Sequence, residues 1–137
     1  MMFHAIKRSP TVNEYCTLRE SVEWPAIEEK LVTLALANSL YAVVVEDDLG
    51  QVLGMGRIVG DNAIYLHIQD VIVHSEFQKK GIGRLVMNEL MQYVEQAGGK
   101  NTNIGLMSSR GREKFYEAFG FVQRPTEKFG SGMIMMK

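Results

Sequence analysis

The residues Gln78-Lys79-Lys80-Gly81-Ile82-Gly83 place two glycines and two lysines at the start of an amphipathic segment, a pattern suited to holding an anion. A helix N-terminus leaves its first backbone N–H groups unpaired and carries partial positive charge, so a glycine-rich approach brings a phosphate close to those donors. Glycine spacing alone fits an ordinary turn equally well, and the flanking residues must decide. Upstream, Ile64, Leu66 and Ile68 alternate with Tyr65, His67 and Gln69, and the alternation slips after Asp70, where Val71 and Val73 are apolar. A bulge near Gln69–Val71 shifts the phase in this way and leaves backbone groups unpaired; a strand buried on both faces at its end gives the same pattern. Cys16, His4 and His74 show no nucleophilic pairing that sequence can reveal.

Composition narrows the classes. A chain of 137 residues that is 46% hydrophobic suits one globular domain over residues 1–137 with a sizeable core, and the order of its elements makes that domain α/β. The formal charge of -1 gives no overall basic field for nucleic acid. A single cysteine excludes an intramolecular disulfide and a cysteine-type zinc site, and no metal is expected. The first residues turn polar too early for a signal peptide and no apolar run approaches a membrane span, so a cytoplasmic protein is expected.

The elements that must carry the cradle follow in order. A strand is expected around Phe3–Arg8, then a helix capped by Thr11 or Asn13 and running to about Ser21. After Trp24-Pro25, a second helix from about Ala26 to Asn38 shows Ile27, Leu31, Leu34 and Ala35 as a core-facing stripe. Tyr41–Glu46 and Gln51–Val59 read as a hairpin whose second strand is loosened by Gly54 and Gly56. A strand over about Ala63–His74 precedes a helix from Gly81 that sets Ile82, Leu85, Val86, Leu90, Tyr93 and Val94 on one side and stops at Gly98-Gly99. Asn103–Met107 is a short strand and Arg110–Phe119 a short helix. Phe121–Arg124 and Met133–Met136 are expected as the last two strands, giving the order β-α-α-β-β-β-α-β-α-β-β.

Three segments in this order, Val71-Ile72-Val73-His74, Gln78 to Gly83, and Phe115-Tyr116-Glu117-Ala118-Phe119-Gly120-Phe121, closely resemble the GNAT superfamily of N-acetyltransferases. The first two resemble its acetyl-CoA motif, a strand followed by Q/R-x-x-G-x-G/A at a helix start; the third resembles its F-Y-x-x-x-G-F motif. The resemblance covers nearly the whole chain in element order and implies a mixed, largely antiparallel sheet with helices on both faces. It implies acetyl-CoA as acetyl donor, a primary amine as acceptor and no metal.

Residue roles follow from the same resemblance. Backbone N–H groups from Lys79 and Lys80 through Gly81, Ile82 and Gly83 to Arg84 are expected to hold the CoA pyrophosphate after Gln78. The Lys79, Lys80 and Arg84 side chains either reach phosphates or form a solvated surface. Val71, Ile72 and Val73 would offer main-chain groups to the pantetheine arm and thioester, with the Val71 N–H at the oxyanion. Tyr116 would protonate the departing thiolate, since a phenol is protonated at neutral pH. His67 stands where some relatives place a proton acceptor and has a suitable intrinsic pKa; Asp70 is the other candidate base. Ser109 and Arg112 replace an asparagine and an alanine usual before the motif tyrosine, leaving Ser109 as the hydrogen-bonding group toward the cofactor arm. Glu20, Glu23 and Trp24 would receive the amine by charge and ring stacking, or else form a solvated helix end. A small-molecule amine is the expected acceptor, with a protein lysine or N-terminus, or a non-catalytic acyl-CoA-binding module, as alternatives. No nucleic acid or membrane partner is expected, and the apolar segment Met133–Met136 is either core or a homodimer interface.

Overall fold

The computed structural model describes residues 2–137. Five strands form one sheet in the order β1 (His4–Ile6), β2 (Tyr41–Glu46), β3 (Val52–Gly60), β4 (Tyr65–Val73) and β5 (Asn103–Leu106). The first four pair antiparallel and β4 pairs β5 in parallel, so the sheet is mixed and largely antiparallel. Helices α1 (Val12–Ser21) and α2 (Glu29–Ala37) cover one face, and α3 (Ile82–Gln96) and α4 (Glu113–Glu117) the other. Leu66, Ile68, Ile82, Val86 and Leu90 centre the core under α3, while Tyr15, Leu18, Val32, Met55 and Ile72 centre the one under α1 and α2.

Local chemistry explains the element starts. Thr11 caps α1 in a reciprocal box: its hydroxyl accepts from the Glu14 N–H, and the Glu14 carboxylate accepts from the Thr11 N–H. Helix α2 begins later than its apolar pattern suggests, and the expected stripe is wrong. Val32 and Leu36 are buried, whereas Ile27, Leu31 and Leu34 are exposed. The helix is apolar nearly all round, so spacing cannot select its inner face; that choice falls to tertiary contacts, including the Arg57 guanidinium donating to the Ala35 carbonyl at 3.2 Å. Gly54 and Gly56 do not loosen β3. A Cβ on Gly54 would sit 2.6 Å from Ile82 Cγ2, and one on Gly56 2.6 Å from Val86 Cγ1, so the missing side chains let α3 lie close on the sheet.

The phase slip in β4 is a bulge. Gln69 pairs with Arg57 and Ile72 with Met55, leaving Asp70 and Val71 opposite Gly56 alone. Asp70 takes φ 54°, a left-handed conformation. Before the bulge Leu66 and Ile68 face α3; after it Val71 and Val73 do, while Ile72 is buried under α1. Only the Ile72 side is fully buried; Val71 and Val73 are half-buried, so the bulge, and not burial on both faces, accounts for the pattern.

The last two expected strands do not form. After α4 the chain packs Phe121 into the core and then runs exposed from Val122 to Lys137. Within that run Arg124 Nε donates to the Gly130 carbonyl at 2.6 Å, and the Thr126 N–H donates to the Phe129 carbonyl at 2.7 Å. Met133–Met136 has the composition of a strand, but a strand exists only where a neighbouring backbone completes its ladder, and nothing among the described residues does so. No helix among the described residues is long and apolar enough to cross a membrane.

Candidate active site

Parallel pairing between β4 and β5 runs from Tyr65–Asn103 to Ile68–Leu106 and ends there, while β4 continues through the bulge to Val73. The two strands therefore part, and a cleft opens between them. The cleft has a volume of about 680 Å³ and extends from the start of α3 past Val71–Val73 to Tyr116. A smaller cavity of about 100 Å³ adjoins it, bordered by Trp24, Ile68, Asp70, Leu106 and Met107. Both spaces are lined by Trp24, Val71, Ser109 and Tyr116, so those four residues mark where they meet.

At the far end of the cleft, the approach to α3 is built as an anion cradle. Lys79 (φ 63°) and Gly81 (φ 88°) are both left-handed, which turns the chain sharply into the helix. No side chain caps α3 and no acidic residue occupies its first turn, so the N–H groups of Ile82, Gly83 and Arg84 are left for another acceptor. Space is open where a Gly81 Cβ would stand, and a Cβ on Gly83 would lie 3.3 Å from Phe115 Cζ. A diphosphate fits this geometry: unpaired donors, a helix dipole and backbone bare enough to be approached. The side chains do less. Lys79 and Lys80 are exposed, Lys80 does not line the cleft, and the Arg84 guanidinium lies 5.9 Å from the Phe119 ring centroid.

Gln78 has a structural part that its motif position did not reveal. Its Nε2 donates to the Val73 carbonyl at 3.2 Å, and its Oε1 accepts from Arg112 at 2.9 Å. Gln78 thus ties the end of β4, the cradle and the approach to α4 together. Arg112, a departure from the usual motif, is the other half of that tie.

Tyr116 is 9% exposed, with its ring edge-on to Phe115 at 5.0 Å and Phe121 at 6.5 Å. Among the described residues its hydroxyl has no hydrogen-bond partner, yet it is not sealed from the cleft. Burial pushes the phenol above its ordinary pKa, with the Arg112 charge opposing in part, so it holds its proton throughout the neutral range.

Asp70 and His67 part company. Asp70 Oδ2 accepts from Arg57 Nε at 2.8 Å and from the Tyr15 hydroxyl at 2.9 Å, while Oδ1 lies 3.7 Å from Arg19. This network fixes the bulge to α1 and β3 and brings Asp70 to the edge of the smaller cavity. His67 packs over Gly105 of β5 and lines neither space; burial pushes its imidazole pKa down. Arg57 and Tyr15 escaped the sequence reading, although an arginine inside the apolar run Val52–Val59 was a usable signal.

Of the acceptor residues, Trp24 and Glu23 line the cleft, whereas Glu20 is exposed and does not. The cation on Trp24 is the chain's own Arg19, 5.2 Å from the ring centroid. Ser21 accepts at Oγ from the Ser75 N–H at 3.2 Å and so holds the end of α1 beside the cleft mouth. Among the described residues no cluster of histidine, cysteine and carboxylates could hold a metal.

Residues 14–137 match the model of the acetyltransferase (GNAT) domain. The chain is 32% identical over 111 residues to the uncharacterized N-acetyltransferase ycf52 of Pyropia yezoensis, covering 79% of this chain and 63% of that protein. It is 30% identical over 128 residues to the chloroplastic serotonin N-acetyltransferase 2 of Oryza sativa subsp. japonica, covering 88% and 62%. The chain thus spans about three fifths of the length of these curated relatives. Among solved structures, a GNAT family acetyltransferase from Streptococcus pneumoniae superposes with a TM-score of 0.82 at 26% identity, covering 99% of this chain and 98% of that one. A Staphylococcus aureus protein described as a probable acetyltransferase gives 0.90 at 28%, covering 99% and 100%.

Proposed function

The chain belongs to the GNAT acetyltransferase family, and from that membership we propose that it moves the acetyl group of acetyl-CoA to the primary amine of a small molecule by direct attack in a ternary complex. The observation that carries the reading is the meeting of two spaces at Trp24, Val71, Ser109 and Tyr116, one leading to the cradle and the other to Asp70. Acetyl-CoA supplies an acetyl group activated as a thioester, with a thiolate as leaving group. The N–H groups of Ile82, Gly83 and Arg84 hold the pyrophosphate and fix the depth of the arm in the cleft. Val71, left without a strand partner by the bulge, would offer its N–H to the oxygen that gains charge when the amine attacks. Tyr116 gives its hydroxyl proton to the departing sulfur.

An ammonium acceptor must lose a proton before it can attack. Asp70 borders the acceptor cavity and His67 does not, so Asp70 is the residue we assign to orienting the ammonium and drawing off its proton, directly or across one water. The smaller cavity, about 100 Å³ and bordered by Gln69, Asp70, Ser109 and Tyr116 as well as by Trp24, Ile68, Leu106 and Met107, favours a compact amine that carries hydrogen-bonding groups. The test is release of CoA thiol with acetyl-CoA and a panel of aromatic amines, aliphatic amines, polyamines, amino acids and peptides. Thiol release dependent on a small amine is expected. Turnover with peptides alone, or tight CoA binding with no turnover on any acceptor, would overturn the proposal.

A further inference from the structure

Helix α1 ends in a turn held by two sets of bonds, and Arg19 belongs to both. Glu23 takes φ 61°, a left-handed conformation that glycine adopts at lower cost, and the Glu23 and Trp24 N–H groups donate back to the Glu20 and Arg19 carbonyls at 3.0 Å each. The turn sets Trp24 beside β4, where it lines the cleft and the smaller cavity. The Arg19 side chain repeats the tie one residue later: Nη2 donates to the Pro25 carbonyl at 2.9 Å and Nε at 3.3 Å. Backbone and side chain of one residue thus grip both ends of the pair Trp24-Pro25.

The same guanidinium is wedged among groups that border the smaller cavity. It lies 5.2 Å from the Trp24 ring centroid and 5.7 Å from that of Tyr15, and its Nη1 stands 3.4 Å from the Tyr15 hydroxyl and 3.7 Å from Asp70 Oδ1. The side chain is nearly buried. A planar, permanently charged fork can bond a carbonyl with its edge while its faces cover aromatic rings, which a lysine ammonium cannot do at once. Asp70 does not depend on Arg19, since Arg57 and Tyr15 hold it at 2.8 and 2.9 Å. Trp24 stands differently: its neighbours Glu23, Pro25 and Ala26 are exposed, and Arg19 covers its ring from the α1 side.

We propose that Arg19 is a positioning residue of the acceptor site: it holds the Trp24 ring as a fixed wall of the smaller cavity and so sets the affinity for the amine, leaving the donor to the cradle. The inference rests on the assignment of that cavity to the acceptor. Because Arg19 already covers the indole, the ammonium of the acceptor is met by Asp70 and not by the ring. Because the wall is fixed before the amine arrives, binding does not have to order the loop, and that saving appears as affinity.

Trp24 is the only tryptophan in the chain, so its fluorescence reports this wall directly. Arg19→Gln removes the charge and the fork; Arg19→Lys keeps the charge, and serves if the first variant fails to fold by far-UV circular dichroism. In both, the emission maximum should move to longer wavelength and the acrylamide quenching constant should rise at least about twofold, because the ring loses its planar cover. With the panel amine that the parent turns over fastest, KM for the amine should rise at least about tenfold while kcat falls no more than about threefold, since Asp70 keeps Arg57 and Tyr15. The acetyl-CoA dissociation constant from calorimetry should stay within about twofold, because the cradle is untouched. Parental emission and quenching in the variants overturn the proposal. So does an unchanged KM for the amine, or acetyl-CoA affinity lost in step with it. A parent that turns over no amine overturns the proposed function instead, and the fluorescence then decides the hold on Trp24 by itself.

Discussion

Replacing Tyr116 by phenylalanine removes one oxygen and leaves the packing in place. The ring remains edge-on to Phe115 and Phe121, and the lost hydroxyl has no partner among the described residues to be left unsatisfied. Stability should therefore change by less than about 0.5 kcal/mol, the size typical of a substitution that breaks no contact. Tyr116 lines both the cleft and the smaller cavity, and burial keeps its hydroxyl protonated. Loss of a general acid costs about 10²–10⁴ in rate, and because water can enter this open cleft as a substitute donor the lower end applies. We expect kcat to fall about a hundredfold, or about 2.7 kcal/mol at 1.36 kcal/mol per decade. The KM for acetyl-CoA should stay within about twofold, the mark of an interaction made only as the thiolate departs. Because the phenol is raised above about 10, the deficit should be equal at about pH 6.5 and about pH 8.5. Steady-state kinetics with thiol detection at both pH values and acetyl-CoA calorimetry supply the measurements. Wild-type turnover in the variant, or a lost rate matched by lost acetyl-CoA binding, would refute the assignment.

Four further outcomes follow from the same geometry. Gly83→Val pushes toward Phe115 and roughens the cradle, and should weaken acetyl-CoA binding at least about tenfold by calorimetry while the melting curve moves little. Gly56→Ala drives a methyl to 2.6 Å from Val86 Cγ1 and 2.8 Å from Leu90 Cδ1, so urea unfolding should show a loss of about 1–3 kcal/mol, as for overpacked cores. Asp70→Ala strips Arg57 of its carboxylate partner where both side chains are nearly buried, and should cost about 3 kcal/mol in the same assay; Asp70→Asn, which keeps an acceptor oxygen but cannot take up a proton, should cost less stability and lower kcat in the thiol-release assay. His67 has its pKa lowered in the fold, so the unfolded chain binds the extra proton first and stability should fall as pH drops below about 6.5. His67→Gln should flatten that decline in thermal melts between about pH 7 and 5, without moving the pH–rate profile.

How much was legible depended on whether a signal was local. The capping box needs only Thr11 and Glu14, three residues apart, and it formed. The bulge declared itself because side chains alternate along a strand and any insertion must reverse the alternation, as Val71 and Val73 do. The inner face of α2 was not legible, since an apolar helix offers several stripes and only the neighbours it meets can choose among them. Gly54 and Gly56 misled for a related reason: in sequence a glycine reports freedom, and only the position of α3 shows that these two report proximity.

The sequence by itself determined the proposed donor side of the site. The cradle is made of backbone geometry over a few consecutive residues, so Gln78–Gly83, with the bulge before it and Tyr116 after it, is written in residue type and spacing. The proposed acceptor side was decided by tertiary structure alone. Trp24, Asp70 and the pair Leu106-Met107 come from three separate segments and meet only because α1 lies over β4 and because β5 ends where β4 bulges. The fate of Met133–Met136 belongs to the same class, for a strand is defined by what lies beside it, and the sequence of one segment does not contain its neighbour.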